Sequence, residues 1–255
     1  METNKSGHKI FYADYTWPEI EGLDRKNVVL VLPTGSVEQH GPHLTLASDA
    51  TQAEAFARLA ALELTDAIVL PAIWYTTCLD TSNYPGTISL NPSLVVEMVC
   101  GIITSLYRNG FRKLVIANVH GAAKGVLETA VREFHARMAS SDRQYNDDFF
   151  IHVHHVYMPA AQYLDSIAEG KDWGHACEME TSVDLYLNPE RVNMDLAAEE
   201  YIPWKYGVPW YVGDMQAVDK TGIHGAANTA TAEKGEKVVA AIVKGLVELL
   251  KGLGA

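Results

Sequence analysis

Apolar residues fall into two alternating rhythms along this chain. Mostly apolar runs, Asn27–Pro33, Ala67–Ile73, Lys113–Val119 and Phe149–Tyr157, have the length and residue types of buried strands. Between and after them, apolar positions recur every three or four residues. This predicts helices over Asp49–Leu64, Pro92–Arg108, Lys124–Met138, Glu178–Leu187 and Ala232–Leu253. Pro92–Arg108 carries its own punctuation: Asn91 is placed to cap it, Pro92 takes its first position and Gly110 follows its end. The alternation predicts an α/β fold, one domain over residues 1–255, with a mostly parallel central sheet flanked by helices. Thr76–Leu90 and Glu200–Thr231 show no period. Loops this long in a compact domain usually serve function or contact another subunit.

Composition narrows the function classes. A chain of 255 residues suits one α/β domain better than two small ones, and 48% hydrophobic residues allow a sizeable core. The net charge of −12, with no basic run, argues against nucleic acid and anionic membrane surfaces as partners and leaves a small-molecule substrate. Cys78, Cys100 and Cys177 are too few and too scattered for a disulfide framework or a paired-cysteine zinc site. No run approaches the ~20 apolar residues that span a bilayer. Residues 1–8 lack the apolar core of a signal peptide, so the cytoplasm is the expected location.

The first predicted strand leads into Glu38, His40, His43 and Asp49, all within twelve positions. In extended backbone, residues two apart point the same way, so Glu38 and His40 can address one point. Gly41-Pro42 then bends the chain and Asp49 can return to that point. Carboxylate oxygen with imidazole nitrogen suits zinc, manganese or iron. The plain alternative is a solvated loop with Asp49 as a helix N-cap. His120 follows the third strand, where α/β sites are built, and Gly121 permits close approach of a ligand; a capping or core-edge histidine is the alternative. His175, Glu178, Glu180 and Thr181 crowd the start of a predicted helix. The helix dipole alone explains Glu178, whereas Glu180 lies in an otherwise apolar segment. Cys177 reads as a buried packing residue, and His152, His154 and His155 as a strand edge or subunit contact.

Five segments together resemble the creatininase (creatinine amidohydrolase) family. They are Gly35-Ser-Val-Glu-Gln-His-Gly-Pro-His43 with Asp49, Tyr84-Pro-Gly-Thr-Ile-Ser-Leu90, Asn118-Val-His-Gly121, His175-Ala-Cys-Glu-Met-Glu-Thr-Ser182 and Ala230-Thr-Ala-Glu-Lys-Gly235. They occur in family order over nearly the whole chain. The resemblance implies a single mostly parallel α/β domain, a homo-oligomer such as a hexamer, and two divalent metal ions (zinc, manganese or iron) that serve hydrolysis of a small substrate. It implies Glu38 and His120 on one metal, His40 on the other and Asp49 bridging both. Glu180 matches a family glutamate near the site, and His175 a histidine that contacts substrate or moves a proton; these two are the catalytic candidates. Asn83, Tyr84, Gly121 and Trp173 are the substrate-binding candidates.

Departures qualify the substrate. Creatinine hydrolases proper carry a metal-binding glutamate where this chain has Ala122, so Glu180 is expected to complete the second metal site. Asn83 stands where histidine is common. A metal core with an altered substrate shell weakens creatinine itself as substrate. The expected reaction opens a cyclic amide with a metal-activated water. One alternative is hydrolytic carbon–carbon cleavage of a cyclic diketone such as 3-dehydro-scyllo-inosose, as in inositol catabolism. Another is a non-catalytic, metal-stabilised oligomer. Trp204, Tyr206, Trp210 and Tyr211 are expected at the subunit contact.

Overall fold

Strand β1, Val29–Thr34, is buried at every position because it is central in its sheet and helices cover both faces. The computed structural model describes residues 1–141, 145, 147–201, 214–217 and 219–255, with the side chain of residue 173 excluded. Strands β2 (Ala67–Val69), β3 (Lys113–Asn118) and β4 (Phe150–His155) join β1 in the order β2-β1-β3-β4, all parallel. The short helix α1, Trp17–Glu21, opens with a Thr16/Glu19 capping box. The longer helices are α2 (Ser48–Leu62), α3 (Pro92–Arg108) and α4 (Lys124–Ser141), then α5 (Ala161–Ile167), α6 (Glu178–Leu187) and α7 (Ala232–Gly252).

The period of two along β1 sorts the core. Val29 and Val31 pack with Phe56 of α2, Val183 of α6 and Ile242 of α7. Leu30 and Leu32 face the other way, onto Ile103 of α3 and Leu127 of α4. Both layers are apolar, and each large side chain fully buried there contributes roughly 1.5–3 kcal/mol. Register places Thr34, Asn118 and His155 side by side at the carboxyl ends of three strands. That edge is where α/β sheets bind ligands.

The expected strands and helices are present with boundaries shifted by a few residues. β2 ends at Val69 rather than running to Ile73. Pro71 has no N–H to give to a ladder, and Ile73 rejoins β1 only through a bridge to Thr34. A second, antiparallel sheet was not expected. It consists of β5 (Trp173–His175), β6 (Glu199–Glu200) and β7 (His224–Ala226) in the order β5-β7-β6. The aromatic residues expected at a subunit contact, Trp204, Tyr206, Trp210 and Tyr211, lie outside the described residues.

Two glycines permit approaches on which the site depends. A Cβ on Gly35 would lie 2.5 Å from the Ala50 nitrogen, so glycine lets the end of β1 abut the first turn of α2. A Cβ on Gly235 would lie 1.9 Å from the Ser182 carbonyl oxygen, so α7 touches α6 through bare backbone.

Candidate metal centre

After β1 the chain runs irregularly, and alternate side chains part as extended geometry requires. Glu38 and His40 are buried on one side. Gln39 turns the other way, where its amide donates to the Gly222 carbonyl at 3.1 Å and its side-chain oxygen accepts from Gly41 N–H at 2.8 Å. α2 then returns Asp49 to the same point. Asp49 is not the cap of α2: that position is Ala47, and Asp49 sits within the first turn. One carboxylate oxygen, Oδ1, lies 3.2 Å from His40 Nε2. The other, Oδ2, lies 3.1 Å from His120 Nδ1 and accepts the Ser36 hydroxyl at 3.0 Å. Glu38 Oε1 lies 2.8 Å from His120 Nδ1, and its Oε2 accepts the Thr81 hydroxyl at 2.6 Å.

Backbone carbonyls set the histidine tautomers. A carbonyl only accepts, so a ring nitrogen bonded to one carries a hydrogen. His40 Nδ1 donates to the Glu38 carbonyl at 3.2 Å, and His120 Nε2 donates to the Thr77 carbonyl at 2.9 Å. His40 Nε2 and His120 Nδ1 are left facing carboxylates. Those carboxylates favour the protonated ring at each. Burial lowers the His40 pKa, but the charge of Asp49 and its hydrogen bond outweigh that and raise it to about 10. Burial likewise opposes the rise at His120, where the charge of Glu38 prevails. Burial raises Glu38, yet the charge and hydrogen bond of His120 bring it down to about 2. Outer partners that orient a ring in this way are typical of metal-ligating histidines.

From the first turn of α6, Glu180 faces the same point. Burial pushes its carboxyl up to about 7, against the pull of the His40 charge. Its Oε2 is buried with no hydrogen-bond partner among the described residues. Ligand atoms of His40, Asp49 and Glu180 lie within 4.8 Å of one another, as do those of Glu38, His40 and His175. An orphaned carboxylate oxygen beside an imidazole and a second carboxylate fits a divalent cation. His175, at the end of β5, donates from Nε2 to the Gln39 carbonyl at 2.7 Å, and its ring lies 4.4 Å from that of His40. Ala176 adopts a left-handed φ of 51°, which costs an L-residue roughly 1–2 kcal/mol. That turn lets β5 and α6 present His175 and Glu180 to one centre.

Glu38, His40, Asp49, His120, His175 and Glu180 therefore converge. The substrate-binding candidates are less gathered. Gly121 opens a 3-10 turn directly after His120 and is exposed. Tyr84 is buried, and its hydroxyl donates to the Asp219 carbonyl at 2.7 Å. Asn83 is exposed. Trp173 has its backbone in β5, and its side chain lies outside the described residues. His43, from the first motif, pairs with the Thr181 hydroxyl at 2.8 Å and braces α6. Sequence reasoning missed Ser36 and Cys78, which crowd the ligands, and read Thr81 only as part of a polar loop suited to a polyol, not as a partner of Glu38. The available signal was that their segments leave the carboxyl ends of β1 and β2, the ligand-binding edge of such sheets.

The Creatininase family model, described as creatinine amidohydrolase, matches residues 13–250. Creatinine amidohydrolase of Pseudomonas putida is 28% identical over 95% of this chain and 96% of its own length. The mycofactocin precursor peptide peptidase of Mycolicibacterium smegmatis is 30% identical over 88% of this chain and 84% of its own. A 3-dehydro-scyllo-inosose hydrolase of Thermotoga maritima is 24% identical over 96% and 83%. Among solved structures, a mutant creatininase of Zn-Zn type superposes with a TM-score of 0.85 at 25% identity, over 96% of this chain and 98% of its own. A manganese creatininase gives 0.84 with the same identity and coverage. This chain belongs to the creatininase family. No helix among the described residues is long and apolar enough to cross a membrane.

Proposed function

We propose that this creatininase-family hydrolase depends on two divalent metal ions and opens an amide C–N bond in a small, cyclic, polar substrate. One observation carries the reading: the two oxygens of Asp49 each face a different histidine, His40 and His120. Glu38, His120 and Asp49 would hold one ion; His40, Asp49 and Glu180 would hold the other. Divalent ions there supply Lewis acidity toward a carbonyl oxygen and lower the pKa of water toward neutrality. The remaining work falls to the chain. His175 has its Nε2–H committed to Gln39, so Nδ1 is the nitrogen free to exchange a proton. Burial lowers its pKa and keeps the ring neutral. A neutral imidazole can take a proton from attacking water and return it to the departing nitrogen.

The amide reading draws on the amidohydrolase and peptidase relatives. A second reading, hydrolytic cleavage of a carbon–carbon bond in a cyclic diketone, draws on the inosose hydrolase relative. The hydroxyl- and carboxylate-rich segment 76–83 would suit a polyol. The test is elemental analysis of protein loaded with zinc or manganese, followed by assay against cyclic amides and keto-inositols. Two ions per chain and turnover of one class are expected. A single ion per chain would overturn the dinuclear reading, and no turnover with two ions bound would overturn the catalytic one.

A further inference from the structure

Cys78 stands apart from the other two cysteines. Cys100 and Cys177 pack within the apolar core clusters, one on each side of the sheet. Cys78 is fully buried but belongs to neither cluster. Its sulfur lies within 4.8 Å of a Glu38 carboxylate oxygen and a His120 ring nitrogen.

The chain on both sides of Cys78 clamps those same two residues. The Thr77 carbonyl accepts His120 Nε2–H at 2.9 Å. The Thr81 hydroxyl reaches Glu38 Oε2 at 2.6 Å and the Cys78 carbonyl at 3.3 Å. The Cys78 N–H donates to the Ser89 hydroxyl at 2.9 Å. The thiol is thus held beside Glu38 and His120 by the same contacts that orient them.

We infer that Cys78 is a further metal ligand, a thiolate on the ion held by Glu38, His120 and Asp49. The inference rests on the metal-dependent reading above and deepens it. As the sulfur–metal bond forms, the thiol gives up its proton to solvent; no oxidant or reductant takes part. Coordinating thiols are deprotonated outright by the ion's charge. A sulfur ligand makes this half of the centre softer than an all-nitrogen-and-oxygen set and favours zinc or cobalt over manganese.

The experiment replaces the native ions with Co²⁺ and records the spectrum beside the bound cobalt content. Wild-type protein is expected to show visible ligand-field bands together with a thiolate-to-cobalt charge-transfer band in the near ultraviolet. Cys78→Ser should lose the near-ultraviolet band and keep the visible ones, while Cys177→Ser keeps both. X-ray absorption on zinc-loaded wild type reads the same ligand without any variant: one sulfur neighbour per two zincs is expected, at about 2.3 Å. Visible bands with no thiolate band, no sulfur neighbour, or a thiolate band that vanishes in Cys177→Ser would each overturn the assignment and leave the metal reading intact. Absence of bound cobalt and of all bands would overturn both.

Discussion

The two halves of the centre differ in how far the protein alone satisfies them. On the Glu38–His120 side, partners are in place: Glu38 meets His120 through one oxygen and Thr81 through the other, and His120 gives its second N–H to Thr77. On the His40–Glu180 side, Glu180 keeps a buried oxygen with no partner among the described residues, and burial holds its carboxyl up at about 7. The first half is braced by the protein's own groups. The second buries a carboxyl group at a cost that the His40 charge offsets in part and a bound cation would offset further. A binding site and a stability defect are here the same group seen in two states.

Asp49 joins the halves, so its loss should have the largest effect. Asp49→Asn is expected to release both ions and to lower turnover by ~10³-fold or more, since metal assistance supplies several kcal/mol and each 1.36 kcal/mol is a decade. Elemental analysis with an activity assay checks this, and two retained ions would refute the joining role. His175→Ala is expected to keep both ions while kcat falls ~10²-fold or more. Metal loss in that variant would instead place His175 among the ligands. Thr81→Val removes a brace from the first half alone and should weaken metal affinity there by ~10–100-fold, read by chelator competition.

After chelation, the comparison predicts opposite signs. Glu180→Gln should raise the melting temperature and Glu38→Gln should lower it, by roughly 2–4 °C per kcal/mol. Equal signs would mean that the halves are alike. The smallest effect lies at the base of α6, where Lys234 meets Glu178 and Glu169. Burial lowers the Lys234 pKa, but its hydrogen bonds to Glu169 and Glu178 leave it above the ordinary 10.5. A raised lysine stabilises fully below its unfolded value and loses that contribution as pH climbs through the folded one. The melting-temperature gap between wild type and Lys234→Met should therefore hold steady up to about pH 10 and shrink above it. A gap unchanged through pH 12 would exclude the ion pair as its source.

The parallel sheet was legible because its strands are long enough to show a pattern and its helices carry their own punctuation. Asn91, read as a cap, accepts the Ser93 N–H at 3.0 Å. The β5-β7-β6 sheet was not legible, since strands of two or three residues display no period. Glu38, His40 and Asp49 could be grouped from spacing because one short loop holds them. Cys78 could not, because nothing local links it to Glu38 forty residues earlier or to His120 forty-two residues later. Only the adjacency of β2, β1 and β3 brings those three together.

The spread of the ligands along the chain also dictates when the centre can exist. Glu38, His120 and Glu180 reach one point only after β1 and β3 have paired and α6 has docked, contacts distant in sequence that are slow to form. A centre spread over so many residues is poorly suited to seed the collapse of the chain. The paired carboxylates and imidazoles come together only with the fold, so an ion bound by the proposed centre would enter a largely built scaffold and take the place of protons there. On the metal-dependent reading, the choice of ion would then fall to that last step, to the geometry of the completed cavity and the ions within reach of it.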